Sequence, residues 1–234
     1  MDSKFSASEY GTQILTSIMG ERETFQYPKS PYAVMECIRV ATNKKYAVVL
    51  DFFAGSGTTG HAVLNLNQED EGKRTFIICT NDENNIASKV CYPRIKKVIK
   101  GWGENKGLGG SLKYFKTKFI KRSANIDDFK TRITDECVEM LCLRENVFDD
   151  VKTKKDYRIF QYGDKVMAIY NALERNNLKE LKKELDKIEG DKILYCFTLD
   201  PLGLDKKDFM DWNGVKLEPI PQKVLDVYKQ IYEY

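Results

Sequence analysis

The sequence holds a single histidine, His61, and its six cysteines (Cys37, Cys79, Cys91, Cys137, Cys142, Cys196) stand apart, with no CxxC pair. Zinc sites need Cys and His ligands clustered at short spacing, so no metal site is expected. No apolar run approaches the about 20 residues that a membrane span needs. The N-terminal MDSKFSASEYGTQ also lacks the apolar stretch of a secretory leader. The expectation is a cytoplasmic protein with no membrane partner, in which most cysteines, set inside apolar runs, act as small buried hydrophobes. An excess of one charge is lacking too: Lys+Arg 38 against Asp+Glu 35 leave +3. That balance neither demands nor excludes nucleic acid, because a local basic face can hide in a near-neutral total.

The hydrophobic fraction of 42% is enough for a real core, and 234 residues suffice for one moderate domain with a small appendage or for two small domains. Residues 8–19 carry Ile14, Leu15, Ile18 and Met19 at helical spacing and stop at Gly20. Pro31 suits a first helical turn, and Val34, Cys37, Ile38 and Ala41 continue it as an amphipathic helix. AVVLDFF (47–53) is an unbroken apolar run ending in an acid, the pattern of a central parallel strand buried on both faces. AGSGTTG (54–60) opens a helix, TFIICT (75–80) repeats the buried-strand pattern, and 84–100 predicts a helix kinked at Pro93. SLKYFKTKFI (111–120) reads as a third strand. The alternation predicts an α/β layered fold with right-handed crossovers.

The character changes after about residue 122, which divides the chain into 1–122 and a small α/β appendage, 123–234. There, 132–146 predicts a helix, 157–171 two strands around Gly163–Asp164, 178–188 a helix, 192–200 a strand and VLDVYKQIYEY a closing helix. The Tyr and Phe residues of 157–170 alternate as strand core rather than as base-stacking platforms.

The segment that carries chemistry is VVLDFFAGSGTTGHAV (48–63). A strand ends in Asp51, the chain turns on small residues, and a helix starts near Thr58–Thr59. Gly55 and Gly57 let the backbone pass close to a ligand, and the helix start offers N–H groups to a carboxylate or phosphate. A Walker loop would need a lysine that is absent here; a dinucleotide GxGxxG and a ligand-free tight turn both stay open on this loop alone. His61 reads as first-turn packing or surface rather than as a catalyst, since no acid or nucleophile is arranged around it. Asn84–Asn85 read as a cap of the next helix.

The longer string narrows this. DFFAGSGTT resembles motif I of the DNA amino-methyltransferases, where the loop holds S-adenosyl-L-methionine. FQYPKSP (25–31) followed by an apolar helix resembles the motif that precedes it in the permuted order of catalytic motif, target-recognition region and cofactor motif. HAVLNLNQEDEGKRTFIICTNDENN, YPRIKKVIKG and GSLKYFKT extend the likeness, and the whole of 5–122 is similar to the modification (Mod) subunit of type III restriction–modification systems, a beta-group adenine-N6 DNA methyltransferase. VKLEPIPQKVLDVYKQIY is weakly similar to that subunit's terminus.

The resemblance implies a partial Rossmann-like methyltransferase sheet with the appendage beside it. It places Asp51, Phe53, Ala54, Gly55, Gly57 and Thr58 at the methionine end of the cofactor. Phe25, Lys29 and Ser30 would contact its carboxylate side, although a lone Lys29 is equally a solvated loop charge. Relatives carry an acid directly at the end of the second strand; this chain has Thr80–Asn81–Asp82–Glu83, which makes Asn81 and Asp82 the candidates for the ribose hydroxyls. The family's catalytic Asp/Asn-Pro-Pro-Tyr/Phe grips a flipped adenine. None of the six prolines adjoins another, Asp200–Pro201–Leu202 being the nearest approach, so no catalytic residue is assigned. In the permuted order that motif and the recognition region precede FQYPKSP, so the expectation is a C-terminal portion of the enzyme. AVVLDFF would then expose an apolar edge, and self-association or pairing with the missing N-terminal half follows. DNA and the restriction subunit are the partners implied for the intact enzyme. The competing expectation is a non-catalytic assembly or dimerisation module; a nucleotide-binding Rossmann protein is disfavoured by the GTT after the second glycine.

Overall fold

A computed structural model of the chain describes residues 3–21 and 25–226. Two compact units divide between Tyr114 and Phe115. No described helix is long and apolar enough to cross a membrane.

In the first unit a π-helical turn, Ala7–Thr12, leads into α1 (Gln13–Met19), which Gly20 ends in the left-handed conformation at φ 86°. Helix α2 (Pro31–Ala41) starts on its proline and buries Met35 and Ile38, whereas Cys37 of the expected apolar face is exposed. Strand β1 (Val48–Asp51), α3 (Thr58–Asp70) and β2 (Thr75–Ile78) form a βαβ unit with parallel strands in the register Val48↔Thr75 to Asp51↔Ile78.

Val49 and Phe76 face a cluster built from Met35, Ile38, Ala62, Val63 and Leu66, and Phe76 and Ile78 face a second one around Ile18, Leu64, Ile95 and Val98. The other face of the pair is open: Val48 is 64%, Leu50 52% and Ile77 49% exposed. The expectation that AVVLDFF is buried on both faces is therefore corrected. With period-2 alternation, helices on one side cover only every second side chain.

After β2 the backbone passes through a 3-10 turn (Glu83–Asn85) and a π-helical segment (Ile86–Cys91) into α4 (Tyr92–Lys100). Pro93 thus sits in the first turn of a new α-helix rather than at a kink inside one long helix, a place where its missing N–H costs nothing. Asn85 occupies the N-cap position of the π segment, at φ 59°, and makes no side-chain capping hydrogen bond. A two-residue ribbon of β3 (Gly101–Trp102) and β4 (Asn105–Lys106) follows.

Residues 107–123 form neither helix nor strand, which corrects the expected third strand over 111–120. Alternating side chains make a strand only where a ladder is available. Here Leu112 instead packs its side chain into the cluster around Ile95 and Val98, and Tyr114 lies against Tyr92 with ring centroids 4.8 Å apart. The parallel sheet of the first unit accordingly has two strands rather than three.

The second unit is a five-stranded sheet. Helices α5 (Ile126–Glu136) and α6 (Val138–Glu145) precede β5 (Asp149–Thr153), β6 (Tyr157–Tyr162), β7 (Lys165–Tyr170), α7 (Leu178–Asp186), β8 (Asp191–Phe197) and β9 (Val215–Ile220). The spatial order is β5-β6-β7-β8-β9, antiparallel up to β7 and parallel from β7 to β9. Along β7, Met167 and Ile169 pack with Ile133 of α5, Leu141 of α6 and Cys137 at the break between them. Val166, Ala168 and Tyr170 pack with Leu178, Leu181 and Leu185 of α7. β7 is thus buried on both faces, with helices packed on either side of it. Tyr157, Phe160 and Tyr170 are core residues as the sequence reading expects, whereas Tyr162 is 58% exposed, which corrects that expectation at the hairpin end. The expected helix at 132–146 is broken at Cys137, and Met140 faces outward. Strands β5 and β9 had no counterpart in the sequence reading. Most of the expected closing helix lies outside the described residues; 222–226 are helical.

Candidate functional site

Asp51 closes β1, and both of its carboxylate oxygens are engaged by the loop that follows. Oδ1 accepts the Phe53 N–H at 2.9 Å and Oδ2 accepts the Thr59 hydroxyl at 2.6 Å. The backbone is tied to β2 as well: Cys79 N–H donates to the Asp51 carbonyl and Ala54 N–H to the Cys79 carbonyl, at 2.7 and 3.0 Å. The turn closes where Gly57 N–H meets the Ala54 carbonyl at 2.7 Å.

Gly55 and Gly57 hold φ of 50° and 80°, which L side chains rarely adopt. Each is also crowded: a Cβ on Gly55 would lie 3.1 Å from the Phe25 ring, and one on Gly57 3.0 Å from the Cys91 sulfur. Gly60 has a packing role, since a Cβ there would lie 2.9 Å from Ile95 Cδ1. Gly57 is also the N-cap of α3, with no side chain capping the first-turn amides. The start of the 13-residue α3 therefore presents a partial positive charge at the loop.

The structure brings FQYPKSP and AGSGTT together. Phe25 rests against Gly55, and the Thr58 hydroxyl donates to the Lys29 carbonyl at 3.3 Å. Lys29 is exposed, whereas Ser30 is buried and donates its hydroxyl to the Lys4 carbonyl at 2.6 Å. Ala54 and Thr58 are buried and Phe53 is 91% exposed. Asn81 and Asp82 lie exposed beyond β2; Asn81 Nδ2 reaches Glu83 at 3.3 Å, and Asp82 Oδ1 accepts from the Ser88 N–H and hydroxyl at 2.9 and 3.0 Å.

Sequence reasoning passed over Arg94, beneath this loop, and its partner Ser56 within it. Arg94 is completely buried, and its Nη1 donates to Ser56 Oγ and Thr58 Oγ1, each at 2.9 Å, and to the Ser56 carbonyl at 3.3 Å. Its Nη2 faces His61 Nδ1 at 3.4 Å. His61, buried and edge-on to Trp102, has its pKa pushed down to about 3 by burial and by the Arg94 charge. The ring is therefore neutral, and Nδ1 accepts from the guanidinium, which can only donate. Burial draws the Arg94 pKa down to about 10, which leaves it charged at neutral pH. The signal was present in the sequence: Val90, Arg94 and Val98 recur every four residues, which puts an arginine in the middle of a buried helical stripe.

A family model described as DNA methylase matches residues 3–100, which include both loops and Arg94. The StyLTI Mod subunit, a type III restriction-modification enzyme of Salmonella typhimurium, is 42% identical over 97 residues, 40% of this chain and 15% of that protein. The EcoPI Mod subunit of Escherichia phage P1, also type III, is 33% identical over 166 residues, 64% of this chain and 24% of that protein. The type II methyltransferase M.KpnI of Klebsiella pneumoniae is 37% identical over 91 residues, 39% of this chain and 21% of that protein. The matches thus span no more than about a quarter of the length of these relatives. Through residues 3–100 the chain is similar to the DNA methylase family and Mod-like, resembling the Mod subunits of type III restriction–modification enzymes.

Proposed function

We propose that the chain is the S-adenosylmethionine-binding C-terminal portion of a site-specific DNA adenine-N6 methyltransferase of a type III restriction–modification system. The observation that carries this reading is the junction of the two loops, with Phe25 on Gly55 and the Lys29 carbonyl on Thr58.

The residues fit an amino-acid-bearing cofactor. Two glycines at positive φ give the loop a tight backbone that L side chains rarely adopt, and the uncapped start of α3 suits a carboxylate. Asp51 places an anion beside that loop for a cationic group. Asp51, Phe53, Ala54, Gly55, Gly57 and Thr58 would line the methionine end, with Phe25 and Lys29 on the carboxylate side. Ser30, whose hydroxyl is already donated to Lys4, would act by fixing the loop. Asn81 and Asp82 would meet the ribose hydroxyls from the end of β2. When bound, the cofactor supplies a methyl group on its sulfonium. The residues of this chain would orient it, while the grip on a flipped adenine and the reading of the DNA target would come from parts of the enzyme outside these 234 residues. DNA and the restriction subunit would be partners of the intact enzyme.

A second reading is favoured by one observation, the exposed apolar face of Val48, Leu50 and Ile77 with Phe52 and Phe53 beside it. On that reading the chain is a non-catalytic assembly or dimerisation module, pairing with a second copy or with further strands of the enzyme across β1.

Calorimetric titration of the chain with S-adenosylmethionine separates the two. Saturable binding that Asp51→Ala abolishes supports the cofactor reading. A folded chain that takes up no cofactor would sink it and leave the assembly module.

A further inference from the structure

Among the described residues, Arg94 is a buried cation with no buried anion to meet it. Every group it faces through a hydrogen bond is neutral: the hydroxyls of Ser56 and Thr58, the Ser56 carbonyl and the uncharged ring of His61. Its Nε, also buried, has no partner, and no carboxylate among the described residues forms an ion pair with the guanidinium. A charge held in the interior without a counter-charge is unfavourable, because the low-dielectric surroundings replace its hydration poorly. Two neutral donors would have fixed the Ser56 and Thr58 hydroxyls equally well, so loop geometry alone does not call for a charge. That charge lies directly beneath the loop on which the positive end of α3 opens, with Gly57 as a cap that brings no side-chain acceptor. Both features are positive and both favour an anion at the same place. The nearby carboxylate, Asp51, is committed to Phe53 and Thr59.

We propose that Arg94 is a positioning residue whose buried charge is the counter-charge for the carboxylate of the ligand's methionine moiety, acting through Ser56 and Thr58 rather than by contact. This rests on the cofactor reading above. Because the guanidinium is fully enclosed, it influences the ligand in two ways: it sets the rotamers of the two hydroxyls, and its field passes through a region that salt does not enter.

The test is calorimetric titration of the full chain, and of its Arg94→Lys and Arg94→Gln variants, with S-adenosylmethionine and with decarboxylated S-adenosylmethionine. The wild-type chain is expected to prefer the carboxylate-bearing ligand, Arg94→Lys to keep most of that preference, and Arg94→Gln to lose about tenfold of it. An equal loss for both ligands in Arg94→Gln would overturn the inference and leave the cofactor reading standing. No binding of either ligand by the wild-type chain would defeat both. Should Arg94→Gln fail to fold, the wild-type chain decides. A preference set by a buried charge persists at high salt and in Lys29→Ala, whereas one that collapses under either condition belongs to the exposed Lys29 and overturns the assignment.

Discussion

Thr59 donates its hydroxyl hydrogen to Asp51 Oδ2 at 2.6 Å, so the last residue of β1 holds the first turn of the helix that follows the loop. A hydrogen bond to a carboxylate is among the stronger ones, about 1.5–3 kcal/mol. Thr59→Val keeps the shape and removes the donor, leaving Asp51 Oδ2 short of a partner. The variant is expected to unfold at lower urea concentration, with a loss of about 1–3 kcal/mol, while Thr59→Ser stays close to the parent. Equal midpoints for Thr59→Val and Thr59→Ser would show that the bond contributes nothing.

Gly57 and Gly20 have nearly the same backbone conformation, φ 80° and 86°, in very different surroundings. A Cβ on Gly20 meets nothing within 4 Å, whereas one on Gly57 meets the Cys91 sulfur at 3.0 Å and the Cys91 carbonyl at 3.4 Å. Gly20→Ala should therefore cost only the left-handed backbone, about 1–2 kcal/mol. Gly57→Ala should cost that plus overpacking, a further 1 kcal/mol or about that. Chemical denaturation of the two variants side by side checks the difference, and a Gly57→Ala no worse than Gly20→Ala would remove the crowding argument.

What could be read from the sequence was whatever local chemistry decides. The stop at Gly20, the start at Pro31 and the strand–loop–helix of Asp51 to Thr59 follow from backbone preferences of single residues, and the structure has all three. The strand expected over 111–120 failed because a strand is a pairing, and Leu112 and Tyr114 found side-chain packing instead. β5 and β9 were invisible for the converse reason: DDVKT and VKLEPI carry weak alternation and are strands because β6 and β8 offer them edges. Arg94 was hidden by its chemistry, since an arginine in a helix is normally read as solvated. Only its place between Val90 and Val98 in the buried stripe could have announced it.

His61 gives a pH dependence of known sign. Its pKa is about 3 in the folded chain against 6.5 when unfolded, so on acidification the unfolded chain takes up a proton first. Stability contributed by the neutral ring is complete above pH 6.5 and declines as pH falls from there toward 3. The limiting slope is about 1.4 kcal/mol per pH unit. His61 is the single histidine, so between pH 7 and about 5, above the ordinary carboxylate range, this slope has no competing side chain with an ordinary pKa there. Urea denaturation across that window should show stability falling with acid in the parent and little change in His61→Gln. A parent whose stability is flat from pH 7 to 5 would mean that the ring is accessible to protons in the fold.

The open face of the β1–β2 pair predicts association. Val48, Leu50 and Ile77 point away from the helices, all about half exposed or more, and Phe52 (65%) and Phe53 (91%) extend the apolar surface into the loop. A contiguous apolar face of this kind next to an unpaired strand edge favours contact with another apolar surface. Sedimentation velocity over a range of concentrations should reveal self-association, and the double variant Leu50→Thr, Ile77→Thr should weaken it. Both positions are exposed, so the variant removes little buried area and its thermal stability should stay within about 0.5–1 kcal/mol of the parent. That separates a surface effect from unfolding. A parent that stays monomeric at high concentration would mean that its apolar face is too small to hold two copies together. Association unchanged in the double variant would place the contact elsewhere on the chain.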